Sequence, residues 1–333
     1  MWKLLSQISK NLVIAIPSMM LLGFLFGLST GSGFLKNLII PFTFLMVYPM
    51  MVTLKIKKVF EGGDARAQLY TQIINFAIIP FIAFGIGKIF FPDKPYMALG
   101  LLLAALVPTS GMTISWTGFA KGNLEAAVKM TVIGLTLGSL ATPFYVQFLM
   151  GAHVSVDIIN IMKQIAFIVF LPMTAGYLTQ QSLVKKYGQK GFQEKWAPRF
   201  PALSTLGVLG IVFIAIALKA KAIAGAPQLL LYIFIPLLSL YGINYLISTM
   251  TGKLLLPRAD AIALVYGTVM RNLSIALAVA INAFGAAGSD AALVISLAYI
   301  IQVQSAAWYV KLTNKVFGPQ PAPKAAIAEP KRA

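Results

Sequence analysis

Arg271 lies near the middle of Ala263–Phe284, ALVYGTVMRNLSIALAVAINAF, a stretch long enough to cross a bilayer. A central guanidinium costs roughly 3 kcal/mol on insertion scales, so a chain that keeps one turns it toward a cavity, a partner or a solute. Hydroxyls and amides gather around it and around a second stretch. Thr268, Asn272 and Ser274 flank the Arg, while Thr109, Ser110, Thr113, Ser115 and Thr117 lie in PTSGMTISWTGFAKGN at 108–123. Neutral donors and acceptors beside one strong cation suit an anionic or polar solute, because a guanidinium offers a planar fork to carboxylates and oxyanions. Asn75, five residues before Pro80, adds an amide. It is read either as a site residue or as one end of a helix–helix hydrogen bond. Lys129 is the other cation inside an apolar run, one turn after Glu125. It is read either as a structural lysine, paired with Glu125 at i, i+4 or snorkelled to the surface, or as a second site cation.

Other chemistries find little support. The chain has no Cys, and its single His, His153, has no His, Asp or Glu cluster at ligand spacing, so no metal site is expected. There is no nucleophile–base set, phosphate loop or carboxylate pair, hence no catalytic residue, no cofactor and no expectation of an enzyme. No acidic residue sits at the centre of an apolar run, where sodium and proton coupling usually place one.

The elements that must position these residues are membrane helices. The chain is 59% hydrophobic and 11% charged with a mean hydropathy of +0.83, against about 25% charged for a soluble domain. Ten apolar runs are each long enough for a spanning helix, at roughly 11–29, 36–54, 69–90, 97–118, 123–150, 158–180, 203–219, 228–250, 259–285 and 290–316. The net charge of +18 would suit nucleic acid, but its distribution argues for a bilayer instead. With a cytoplasmic N-terminus, the outer connections hold only Lys36, Lys88, Lys94, Lys163, Lys219 and Lys221, while the cytoplasmic side holds nineteen Lys and Arg. This positive-inside pattern predicts a multi-pass plasma (inner) membrane protein with both termini in the cytoplasm. The first run lacks a small-residue cleavage site and is read as a retained helix; the Pro/Ala-rich tail 319–333 is expected to be disordered.

The two halves look alike. Pro17 is answered by Pro172 and Pro80 by Pro236, at offsets of 155 and 156. The fourth run is interrupted by Pro108-Thr109-Ser110-Gly111 and the ninth by Tyr266-Gly267-Thr268, poor helix formers just before Arg271-Asn272. Residues 1–150 and 151–318 thus read as two repeats, and five spans per repeat force opposite orientations. Inverted repeats with breaks at matching depth point to a secondary transporter, because broken ends supply free backbone groups at mid-membrane.

LMVYPMMVTLKI at 45–56, INFAIIPFIAF at 74–84, the 108–123 stretch and VMRNLSIALAVAINAFG at 269–285 resemble the bile acid:sodium symporter superfamily, which includes the arsenite-exporting permeases. The resemblance implies an all-α integral membrane fold of ten helices in two inverted five-helix repeats. A panel domain (spans 1, 2, 6, 7) faces a core domain (spans 3, 4, 5, 8, 9, 10), with helices 4 and 9 unwound and crossing. Sodium-coupled members carry a Glu and a Gln in the ninth-helix crossover, where this chain has Gly267 and Arg271. Their remaining sodium ligands fall on the Thr268 and Met270 carbonyls, Asn75, Thr113, Ile114, Ala127 and Thr131. Arsenite permeases use a fourth-helix Cys and a ninth-helix Glu, where this chain has Thr109 and Ser274.

The residues therefore predict a carrier of a small anionic solute. The expected solute site comprises Thr109, Ser110, Thr113, Thr268, Arg271, Asn272 and Asn75. Arg271, and with it Lys129, would supply tethered positive charge where relatives bind sodium; in the simpler reading Arg271 only stabilises the crossover. An arsenite or metalloid exporter, a sodium-coupled anion symporter and a membrane-embedded sensor are the alternatives.

Overall fold

The computed structural model describes residues 5, 7, 8, 11–30, 32–54 and 64–319. The tail 320–333 and Lys3, Lys10, Lys55, Lys57, Lys58, Lys324, Lys331 and Arg332 of the charge pattern lie outside the described residues. All named elements are helical. They are α1 (Leu12–Ser29), α2 (Ile39–Val52, led in by a 3-10 turn Ser32–Leu38), α3 (Ala65–Phe90), α4 (Pro95–Leu106), α5 (Gly111–Phe119) and α6 (Leu124–Met150). There follow α7 (Ile158–Trp196), α8 (Arg199–Gly225), α9 (Gln228–Leu255), α10 (Arg258–Val269), α11 (Leu273–Phe284) and α12 (Gly288–Phe317).

Seven of these are long and apolar enough to cross a membrane: α2 with its lead-in turn, α3, α6, α7, α8, α9 and α12. The ten runs of the sequence differ from this seven for a physical reason. The fourth run is two pieces, α4 and α5, of 12 and 9 residues. The ninth is likewise split into α10 and α11, of 12 residues each. At 1.5 Å per residue none of these pieces spans a hydrocarbon core of about 30 Å alone. α1, Leu12–Ser29, is an apolar helix of 18 residues.

Prolines leave local marks. Pro80 and Pro172 each follow a π-helical turn, Ile73–Ile78 and Ala166–Phe170, a widening that accommodates a residue with no N–H to donate. The helices pack in two groups. α8 lies against α1 and α2, and α7 against α2; α3, α4, α6, α9, α10, α11 and α12 pack on one another, with α5 held between α6 and α10. The groups meet where α11 and α12 touch α1, α2, α7 and α8, and where α6 touches α7.

Candidate functional site

The two helix breaks are one structure. Backbone Thr109 N donates to Met270 O at 2.8 Å and Asn272 N donates to Val107 O at 2.8 Å, a reciprocal pair that makes Pro108 and Arg271 an isolated antiparallel bridge. The first break falls where the sequence predicts it, between Leu106 and Gly111. The second does not: Tyr266, Gly267 and Thr268 are helical, and the break is Met270-Arg271-Asn272. That segment has no Gly or Pro; its shape comes from its partner strand, which satisfies backbone groups a broken membrane helix would leave bare.

Each half-helix is capped locally. Ser110 accepts from Met112 N and pairs with Thr113 in a capping box, while Asn272 Oδ1 accepts from Ile275 N at 3.2 Å. Thr109 holds a left-handed backbone, φ +65°, unusual for a β-branched residue. Its hydroxyl bonds Pro108 O at 2.6 Å and Thr131 O at 3.1 Å. The bend is possible because α6 is bare beside it. A Cβ on Gly134 would lie 2.7 Å from Thr109 Oγ1, and one on Gly138 2.5 Å from Pro108 Cδ.

The carbonyls at the end of α10 and in the break already accept protein N–H groups. Asn75 Nδ2 donates to Gly267 O at 3.0 Å and Asn244 Nδ2 to Thr268 O at 2.9 Å. Thr109 N takes Met270 O, and Gln302 Nε2 donates to Arg271 O at 3.1 Å. Gln302 Oε1 in turn accepts from Arg271 N at 2.8 Å and from Tyr241 Oη at 2.9 Å, so one amide clamps the Arg271 backbone from both sides. The Thr268 hydroxyl is spent on Ser248 Oγ at 2.6 Å and Val265 O at 2.9 Å.

The structure thus brings Asn75, Thr109, Ser110, Thr113, Thr131, Gly267, Thr268, Met270, Arg271 and Asn272 to one crossover. Most of their polar atoms hold the fold. The exceptions are buried and unpartnered: Arg271 Nη1 and Nη2, Asn272 Nδ2 and Asn75 Oδ1. Arg271 is 2% exposed. Its guanidinium borders a small cavity lined by Ile79, Ala104, Ala105, Leu240, Tyr241 and Asn244, residues of α3, α4 and α9. The charge therefore borders a gap within the larger helix group, away from α1, α2, α7 and α8.

Beside Gly267 the environment is apolar. A Cβ there would meet Met130 Sδ at 2.7 Å and Thr71 Cγ2 at 3.2 Å, and Met130 packs with Ala67, Ala126 and Ala263. Ala127 is fully buried, and Thr131 Oγ1 donates to Ala127 O at 2.7 Å. Lys129 lies apart from the crossover's bonds, forming a buried ion pair with Asp64 at 2.7 Å; Asp64 also accepts from Gln68 Nε2 at 2.7 Å. Asp64, which immediately precedes α3, is a partner of Lys129 that the sequence does not single out. Tyr241, Asn244, Ser248 and Gln302 were also missed. Their signal is present in the sequence as isolated polar residues within apolar spans, YGINYLIS and YIIQVQS.

A family model described as the Sodium Bile acid symporter family matches residues 40–226, more than half of the 333-residue chain. The chain belongs to this family. Relatives spread across it. The Arsenical-resistance protein Acr3 of Corynebacterium glutamicum is 23% identical over 303 residues, 83% of this chain and 82% of its own. The Uncharacterized sodium-dependent transporter YocS of Bacillus subtilis is 29% identical over 212 residues, 62% of this chain and 63% of its own. The Probable sodium/metabolite cotransporter BASS1, chloroplastic, of Arabidopsis thaliana is 25% identical over 175 residues, 51% and 43% respectively. For this symporter-family member the relatives and the apolar helices together indicate a multi-pass membrane transporter, and membership points to transport rather than catalysis.

Proposed function

We propose that this protein carries a small organic anion by alternating access without sodium, with the Arg271 guanidinium standing where relatives would hold a bound cation. One observation carries the reading. Gly267, Thr268, Met270 and Arg271 each present a carbonyl that already accepts an N–H from Asn75, Asn244, Thr109 or Gln302. A sodium ion would share such oxygens with these donors and usually takes a carboxylate among its ligands; here the carboxylate position is Gly267, closed over by the Met130 thioether. The negative ends of α4 and α10 meet N–H donors and a fixed cation instead.

The anionic character of the solute rests on what remains. The N-termini of α5 and α11 converge at the crossover with their partial positive charge, and Asn272 Nδ2 is an unpartnered donor there. In this reading the chain is two inverted five-helix repeats with both ends cytoplasmic in the plasma membrane. α1, α2, α7 and α8 form a panel against which the remaining helices rock, exposing the crossover to one side and then the other. Lys129 is a structural charge: its bond to Asp64 joins α6 to the start of α3.

The test is uptake into proteoliposomes. A labelled dicarboxylate or monocarboxylate panel is measured under inward sodium, potassium and choline gradients. Rates independent of sodium, and lost in Arg271→Gln, are expected. Uptake that rises steeply with sodium and survives Arg271→Gln would refute the reading. A second reading, metalloid efflux, is favoured by the similarity to an arsenical-resistance protein over 83% of this chain. It lacks the thiol chemistry, as the chain has no Cys. Clear arsenite resistance of a sensitive host expressing the protein would decide for it.

A further inference from the structure

A guanidinium enclosed by protein and left without a counter-charge is among the most expensive arrangements a fold can hold, costing several kcal/mol after relaxation. Arg271 is such a group. Both of its terminal nitrogens lack a hydrogen-bond partner among the described residues. The buried carboxylate of Asp64 is taken by Lys129, and Asp290 is paired with Lys219. Among the described residues, then, no carboxylate pairs with the guanidinium.

The cavity beside it has a shape and a chemistry. It has room for a body about the size of one water molecule. Ile79, Ala104, Ala105 and Leu240 make most of its wall apolar. Tyr241 Oη gives its proton to Gln302, and Asn244 Oδ1 lies 3.2 Å from Ser248 Oγ, a hydroxyl it shares with Thr268 Oγ1 at 2.6 Å. Asn244 Nδ2 spends one N–H on Thr268 O and retains a second. The cavity thus offers guanidinium and amide donors. Its apolar wall disfavours a strongly hydrated ion.

We infer that this cavity is a binding site for one small monovalent inorganic anion of the halide class, chloride being the physiological member, held by Arg271 inside the larger helix group. A halide matches the volume, needs only donors, and brings the site to neutrality. A carboxylate needs two oxygens and a substituent, which the space does not take. The occupant is resident in the crossover and separate from the carried solute, which on the proposal above approaches from the side of α1, α2, α7 and α8. The inference stands whichever solute is carried.

The experiment uses the full chain purified in detergent with gluconate as the sole anion. Thermal unfolding is followed as chloride, bromide, formate or acetate replaces gluconate at constant ionic strength, and bromide bound per chain is measured by equilibrium dialysis. The expected result is a saturable rise in melting temperature with chloride and bromide, weaker with formate and absent with acetate, and one bromide bound per chain. At a hundredfold excess over Kd the unfolded fraction should fall about a hundredfold. Arg271→Gln should abolish both signals and Arg271→Lys should keep a weakened response. If Arg271→Gln does not fold, Ala105→Val, which narrows the cavity while leaving the charge, should still fold and lose bromide. A wild-type chain with no halide-specific stabilisation or binding overturns the inference, as does an acetate response equal to that of chloride. Sodium-driven uptake would sink the proposed coupling and leave this result unaffected, so the two failures are distinguishable.

Discussion

Replacing Gln302 by Leu removes a single buried amide and should loosen the whole crossover. The side chain is fully buried and makes three bonds, accepting from Arg271 N at 2.8 Å and Tyr241 Oη at 2.9 Å and donating to Arg271 O at 3.1 Å. Leucine fills much of the same volume, so the loss is one of polar pairing and not of packing. Each orphaned buried group costs about 1–3 kcal/mol before relaxation. Membrane interiors recover part of that, since the unfolded chain in a bilayer also finds partners. The three together give about 3–5 kcal/mol. Reversible unfolding in mixed micelles, followed by tryptophan fluorescence, measures the change. Gln302→Leu within about 1 kcal/mol of the wild type would refute the clamp.

Removing one member of the Lys129–Asp64 pair, as in Asp64→Leu, should cost about 3–5 kcal/mol, while Asp64→Leu with Lys129→Met should recover most of it; a double-mutant cycle in the same micelles measures the coupling. Thr109 sits at φ +65° with its one hydroxyl proton shared between two carbonyls, and both Thr109→Val and Thr109→Gly lose that donation, so Val, which keeps the backbone cost, should be about 1–2 kcal/mol worse than Gly, which relieves it; comparison of their melting curves decides. Gly267→Glu alone should express poorly, because its Cβ would meet Met130 Sδ at 2.7 Å, and pairing it with Met130→Ala should restore monodisperse protein in size-exclusion chromatography.

Much of the fold class is legible in the amino acids because bilayer chemistry is severe: apolar runs of spanning length have few other uses, and Pro108 and Gly111 mark the first break by local chemistry alone. The second break is a tertiary feature. Met270, Arg271 and Asn272 have no intrinsic reason to leave the helix and do so because Val107 and Thr109 offer matching backbone groups, which no local pattern announces. The weak helix formers Tyr266–Thr268 stay within α10. Gly267 is there for a different reason, the close approach of Met130. Asp64 shows the same limit, since its bond to Lys129 spans 65 positions and leaves no local pattern. The candidate site itself was legible as a set of residues but not as a set of roles, since most of the hydroxyls and amides singled out for a solute turn out to bond the fold.

The reciprocal bonds at the crossover also set an order of events during synthesis. Thr109 N and Val107 O wait for Met270 O and Asn272 N, which the ribosome makes only after the whole intervening chain. At about 5–20 residues per second that interval is on the order of 10–30 s. Throughout it the first broken helix sits in or beside the bilayer with bare backbone groups, which water or the insertion machinery must cover. A nascent chain stalled before residue 270 should therefore carry an extractable, protease-sensitive segment at 107–111 that vanishes once the second break has emerged.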